Sequence, residues 1–463
     1  MAAGVTSATA PELLWAPQAW LGGRWRDGVV LQVGESGHWS AITPDQPCPP
    51  QAIVLEGAAL PGLVDAHSHA FQRAFVGLAE TRTGEHDDFW SWRERMYRVA
   101  LRITPAQLRA VAAHLYVELL RGGYTQVCEF HYLQHDRDGL AYADPAEMCW
   151  ALADAAADTG IGLTLLPVLY ERAGFAAPQL HRDQRRFATS AAAVLALRDA
   201  VNNAARALTT AGVAIHSLRA ARPESLLALA EAAGSGPMHI HVAEQTAEVD
   251  DCLAATGCRP IEWLARHAPL DTRWQLVHAT HATRSEIDAV ARSGAGVVLC
   301  PGTEANLGDG LADLPGWLDA DVPLTLGSDS QVLRGWSEEL RWLEYGQRLL
   351  QRRRNVAARP ALGQPSTAAH LFERVCQGGA AAAGLQRWGL MPGARADLLV
   401  VNPGEPALLG VAPQHLLDAL VFAAPAAAFS DVMVAGQWRL RAHAHQADAQ
   451  IAHAFSAAMQ ALH

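Results

Sequence analysis

The chain has 463 residues, half of them hydrophobic and 18% charged, with a net charge of −11. That length suits a large barrel with a minor domain rather than one small core. The balance is that of a globular protein, no apolar run of roughly 18 residues offers a membrane span, and the acidic surface disfavours nucleic acid.

Taken in chain order, Met1–Pro11 lacks a basic segment followed by an apolar one, so no secretory signal is expected. Trp20–Leu55 holds aromatic and β-branched stretches split by Gly-Gly, Asp-Gly and Ser-Gly, which predict hairpins. Asp397–Val401 and Val432–Trp438 read the same way. Both flanks are expected to meet in one small β-sandwich domain, residues 1–60 with 391–440. The Ala- and His-rich residues 441–463 predict a terminal helix.

Residues 61–390 alternate apolar strands with Ala/Leu-rich helical segments. The strands are Leu63–His67, Gln126–Phe130, Gly162–Val168, Val213–Leu218, Met238–Val242, Gln275–His278, Gly296–Cys300 and Leu324–Ser328. Eight such units predict an α/β fold of the (β/α)8, TIM-like kind, with its chemistry at the C-terminal strand ends. Glu85–Arg102, which holds Trp90, Trp92, Arg93 and Tyr97, is expected to cover the mouth as a loop or helix.

Seven cysteines, odd in number and without a C-x-x-C, fit a reducing cytoplasm rather than a disulfide framework. All 36 basic residues are arginine. Without lysine, any Schiff base or carbamate bridge is excluded.

Four strand ends carry ligand-type side chains. His67 and His69 end the first strand, two residues apart and so on one face. On the fifth strand, His239 and His241 share a face. His241, nearer the end, is the better ligand, and deeper His239 reads as a core histidine. His278 ends the sixth strand and Asp329 the eighth. Three imidazoles and a carboxylate are a zinc-type set that leaves a position for water. Each piece has a plainer reading: His278 as a satisfied core histidine, Asp329 as a helix cap, and Glu244 as a carboxylate at a helix N-terminus.

Together with Pro61-Gly62 before the His-x-His and the late Gly327-Ser328-Asp329, these residues resemble the amidohydrolase superfamily over nearly the whole chain. Two-metal members bridge their ions with a carbamylated lysine. Its absence places this chain with the mononuclear, deaminase-type branch, although Glu129 at the second strand end leaves a glutamate-bridged pair open. Glu129–Leu133, Tyr142–Pro145, Cys300–Gly310 and Glu338–Arg348 resemble the members that act on N-formimidoyl-L-glutamate in histidine breakdown. Gln331 departs from that pattern, where histidine is expected.

The resemblance implies one Zn²⁺ per chain on His67, His69, His241 and Asp329, with Fe²⁺ or Mn²⁺ as possible substitutes. It implies Glu244, His278 and Asp329 as catalytic groups, and hydrolysis to N-formyl-L-glutamate and ammonia. It implies a small dianionic substrate held by Gln72, Arg93, Tyr132, His216 and Arg219, since arginine forks and phenol or amide donors suit carboxylates. A homodimer is expected, without nucleic acid or membrane as partner. Two other readings share these residues: a deaminase of guanine, cytosine or s-triazine rings, and a barrel scaffold without catalysis.

Overall fold

The computed structural model describes residues 12–82 and 89–463. Eight strands run parallel around a barrel: Leu63–Ser68, Tyr124–His131, Gly162–Leu169, Val213–Ile215, Met238–Val242, Trp274–His278, Gly296–Leu299 and Leu324–Leu326. Every residue in them is buried. This explains why the strands read as continuous apolar runs: one face fills the barrel and the other packs under helices.

The fourth strand comes in two pieces, Thr209–Ala211 and Val213–Ile215, both paired with the third strand. Gly212 sits at the break, where a Cβ would lie 2.4 Å from the Pro237 carbonyl oxygen. This strand, expected to reach Leu218, stops at Ile215, so His216 and Arg219 stand on the loop above the barrel. The seventh and eighth strands likewise stop one and two residues short, at Leu299 and Leu326. Beyond the eighth strand, Asp329 adopts a left-handed conformation, with φ of 51°.

Helix Phe89–Ala100 lies between the first two strands. Residues 85–88 of the expected covering segment fall outside the described residues. Helix Pro105–Arg121 starts at a capping box in which the Thr104 hydroxyl accepts from Gln107 N–H, and the Gln107 side chain accepts from Thr104 N–H.

The two ends of the chain build one nine-stranded sheet. Its middle joins Ala59–Leu60 to Leu13–Leu21 on one side and Leu398–Val401 on the other. The sheet folds over a core of Leu14, Val29, Leu31, Trp39, Leu398, Val400 and Met433. Its edge strand Trp39–Thr43 is tied to the turn before Leu398–Val401, where Trp39 N–H donates to the Ala394 carbonyl at 2.9 Å.

The terminal helix is shorter than residues 441–463. It spans Asp448–Leu462. Before it, Gln437–Arg441 pairs with Ala444–His445 through a two-residue turn, Ala442-His443, both with positive φ. Buried His445, bonded through Nε2 to the Thr159 carbonyl at 3.0 Å, holds this hairpin against the barrel.

Candidate metal centre and its cavity

The first strand delivers His67 and His69 to the rim, and the fifth delivers His241. The Nε2 atoms of His67 and His241 are 2.9 Å apart. Asp329 Oδ1 lies 3.5 Å from His67 Nε2 and 3.4 Å from His69 Nε2. One nitrogen from each of His67, His69 and His241 falls within a 4.8 Å span, and so do ligand atoms of His67, His278 and Asp329.

Two buried imidazole nitrogens at this separation repel unless a proton or cation lies between them. Burial drives His67 down to about 3 and lowers His69 and His241 as well, so all three present lone pairs near neutrality. His69 Nδ1–H donates to the Phe130 carbonyl at 2.9 Å, which turns its Nε2 lone pair toward the others. Burial opposes charge on Asp329, yet its contacts with His67, His278 and His69 hold it below the usual carboxylate range. Three neutral imidazoles and one carboxylate therefore converge, a donor set that fits a divalent cation.

His239 points away from this group. Its Nε2–H donates to the Ala382 carbonyl at 2.8 Å.

Glu244 reaches the cavity because Ala243, at φ 51°, reverses the chain after the fifth strand. Glu248 accepts the N–H groups of Ala243 and Glu244 at 3.2 and 3.0 Å. The carboxylate at the start of helix Thr246–Thr256 is thus Glu248, which leaves Glu244 free for the cavity. Burial raises Glu244 to about 7.

His278, at φ 68°, stands among three carboxylates. Its Nε2 is 3.7 Å from both Glu244 Oε1 and Asp329 Oδ2, and its Nδ1 is 3.5 Å from Glu304 Oε1. Burial lowers the ring's affinity for a proton, but these charges outweigh it and push His278 up to about 10.

Above them a cavity open to solvent holds about 560 Å³ of empty space, part of it outside the protein. Helix Phe89–Ala100 presents Phe89, Trp92, Arg93, Met96 and Tyr97 to it, one face at helical spacing. Gln72, Arg93, Tyr132, His216 and Arg219 all line the same space as Glu244, His278 and Asp329. Gln72 Nε2 donates to the Tyr132 hydroxyl at 3.3 Å. Arg93 packs over the Trp90 ring at 4.4 Å, and its Nε is buried without a hydrogen-bond partner. Arg219 is 6% exposed and lies 5.6 Å from the same ring. Among the described residues neither arginine forms an ion pair. Cations on the wall of this cavity suit an anionic ligand.

Sequence reasoning gave no role to Glu304, Tyr97 or Tyr170. Tyr170 directly follows the third strand, and Gln184 Nε2 donates to its hydroxyl at 2.9 Å and to that of Tyr97 at 3.4 Å. Its position at a strand end was the available signal. Glu304 is legible only through its distance to His278. Glu129, the residue that left a bridged pair open, is engaged elsewhere: its carboxylate takes the Ser68 hydroxyl at 2.8 Å and the Ala70 N–H at 2.5 Å. It faces behind the ligands, and burial pushes it up to about 8.

A sequence model of the Amidohydrolase family matches residues 58–439. The chain is 44% identical over 444 residues to a formimidoylglutamate deiminase of Pseudomonas aeruginosa, covering 96% of this chain and 97% of that one. An amidohydrolase crystal structure from Brucella melitensis superposes with a TM-score of 0.92 at 39% identity, covering 97% and 99%. An adenosine deaminase from Xanthomonas campestris with bound zinc shares the fold, with a TM-score of 0.81 at 22% identity over 98% and 99%.

Proposed function

The chain belongs to the amidohydrolase family, and we propose that it hydrolyses N-formimidoyl-L-glutamate to N-formyl-L-glutamate and ammonia. We propose one zinc ion per chain, held by His67, His69, His241 and Asp329. The observation that carries this reading is a pair of arginines, Arg93 and Arg219, which form no ion pair among the described residues and line one cavity with the ligand cluster. A substrate with two carboxylates and a reactive amidine carbon needs that arrangement. The relative of known name, 44% identical, supports the same substrate.

When bound, zinc supplies a Lewis acid that brings the pKa of water from about 15.7 toward roughly 7. Asp329 accepts a proton from the attacking water. His278 donates a hydrogen bond that holds the attacking oxygen in line with the formimidoyl carbon. Addition gives a carbon bearing two nitrogens and one oxygen. Glu244, raised to about 7 and so able to carry a proton near neutrality, delivers it to the terminal nitrogen. Ammonia departs, the hydroxyl proton passes back to Glu244 as the C–O bond becomes a carbonyl, and the C–N bond to glutamate remains. Arg93, Arg219, Tyr132, Gln72 and His216 hold the glutamyl part still.

A ring deaminase would use the same ligands without needing two arginines. A panel of formimidoyl amino acids, guanine, cytosine and an s-triazine, read by ammonia release, tests the choice. Formimidoyl-glutamate should exceed the rings by orders of magnitude in kcat/KM, and comparable turnover of a ring substrate contradicts the proposal.

We also propose a cytoplasmic homodimer. No helix among the described residues is long and apolar enough to cross a membrane, and all seven cysteines are unpaired. An exposed stripe of Trp342, Tyr345 and Leu349 on helix Trp336–Gln351 supports self-association.

A further inference from the structure

The barrel closes differently from the way it is built. Strands seven and eight share a ladder of three residue pairs, whereas the eighth and the first are joined by a single bridge, Ser68 to Asp329. There Asp329 N–H donates to the His67 carbonyl at 2.9 Å, and His69 N–H donates to the Asp329 carbonyl at 3.2 Å. The proposed metal ligands flank this seam, His67 and His69 on one side and Asp329 on the other. A seam with few backbone bonds is a poor fixture for groups that must hold a metal to a few tenths of an ångström.

Gln331 spans the gap. It is fully buried, with a positive φ of 69°. Its amide nitrogen donates to the Ser68 hydroxyl at 3.0 Å and to the Asp329 carbonyl at 2.9 Å. Its Oε1 lies 3.0 Å from the Ser328 hydroxyl. Ser68 stands between the two histidines, and Ser328 immediately precedes the aspartate. One side chain thus ties both banks at the level of the ligands through the two N–H groups of its amide. Ser328 is anchored below by Asp65, which accepts its N–H at 2.8 Å and lies 2.5 Å from its hydroxyl. A neutral imidazole offers one donor and one acceptor, so the histidine expected here would make one bond fewer.

We propose that Gln331 is a positioning residue: it clamps the open seam of the barrel and so sets the distance between the His67–His69 pair and Asp329. The inference rests on the ligand set proposed above, not on the substrate.

The test follows metal release. Wild type, Gln331→Met, Ser68→Ala and the double variant are loaded with zinc and mixed with excess chromogenic chelator, and thermal unfolding is recorded in parallel. Gln331→Met keeps length and burial but loses all three contacts. It should release zinc about 10- to 100-fold faster, with its melting temperature lowered by only a few degrees. Ser68→Ala should also speed release. The double variant should be within about twofold of Gln331→Met, because both substitutions cut one link. On formimidoyl-glutamate, kcat should fall about tenfold or more with KM within about twofold, since a shifted ligand harms chemistry more than binding. Wild-type release from Gln331→Met, or rates that multiply in the double variant, overturn the clamp. Should Gln331→Met fail to fold, Ser68→Ala decides alone, and wild-type release from it overturns the proposal. Release is read without substrate, so a chain that holds zinc but acts on another amidine leaves this test intact.

Discussion

Replacing Arg219 with methionine probes the anionic half of the site. Arg219 is 6% exposed, forms no ion pair among the described residues and lines the cavity. A hydrogen bond to a charged group contributes about 1.5–3 kcal/mol. Burial places Arg219 in the upper part of that range, since little water screens it. A loss of about 2–3 kcal/mol corresponds to roughly 30- to 150-fold in kcat/KM. The carboxylate is held equally before and during reaction, so the loss should fall on KM while kcat changes little. The assay compares N-formimidoyl-L-glutamate with two analogues, each lacking one carboxylate, by ammonia release. The penalty should vanish on the analogue without the carboxylate that Arg219 holds. A penalty of equal size on all three substrates, or none on any, refutes the assignment.

Other outcomes follow from the same geometry. Glu244→Gln should keep its metal, by elemental analysis, and lose about 10²- to 10⁴-fold in kcat; wild-type turnover would move the proton delivery elsewhere. His239 is buried neutral and lowered to about 4 against an ordinary 6.5. Its unfolded form binds a proton first as pH falls, so its stabilising share is complete above pH 6.5 and disappears between 6.5 and about 4. That share is about 3 kcal/mol, at about 1.4 kcal/mol per pH unit. Urea unfolding of the metal-free protein at several pH values, with and without His239→Gln, should show the difference, and parallel curves would count against it. Gly212→Ala drives a methyl to 2.4 Å from the Pro237 oxygen. It should cost about 1–3 kcal/mol in thermal unfolding, and an unchanged melting temperature would show that the strand break yields freely.

What was legible in the sequence was periodic or terminal. The strands announced themselves as short apolar runs because both faces are buried, and their ends carried the histidines. Left-handed residues carried no comparable mark. Ala243, His278 and Asp329 have φ of 51°, 68° and 51°, in side chains that do not advertise it. The turn at Ala243 that brings Glu244 into the cavity therefore left no signal of its own in the sequence. The hairpin at residues 442–445 was hidden for the same reason. Its turn is Ala-His, not Asn-Gly, and contact with Thr159 holds it where local propensity favours helix. Glu304 and Gln331 act through neighbours distant in the chain, Glu304 near His278 and Gln331 on Ser68. Glu304 lay inside a stretch quoted for its resemblance, and Gln331 drew notice only as a departure. Neither has a spacing rule that points to a role.

The central claim is that His67, His69, His241 and Asp329 close on one ion. Elemental analysis of the purified protein, before and after chelation and again after zinc is returned, tests it most directly. The account predicts about one zinc per chain, ammonia release lost with the metal and regained with it, and no uptake by an Asp329→Ala variant. Full ammonia release from protein nearly free of metal would contradict it.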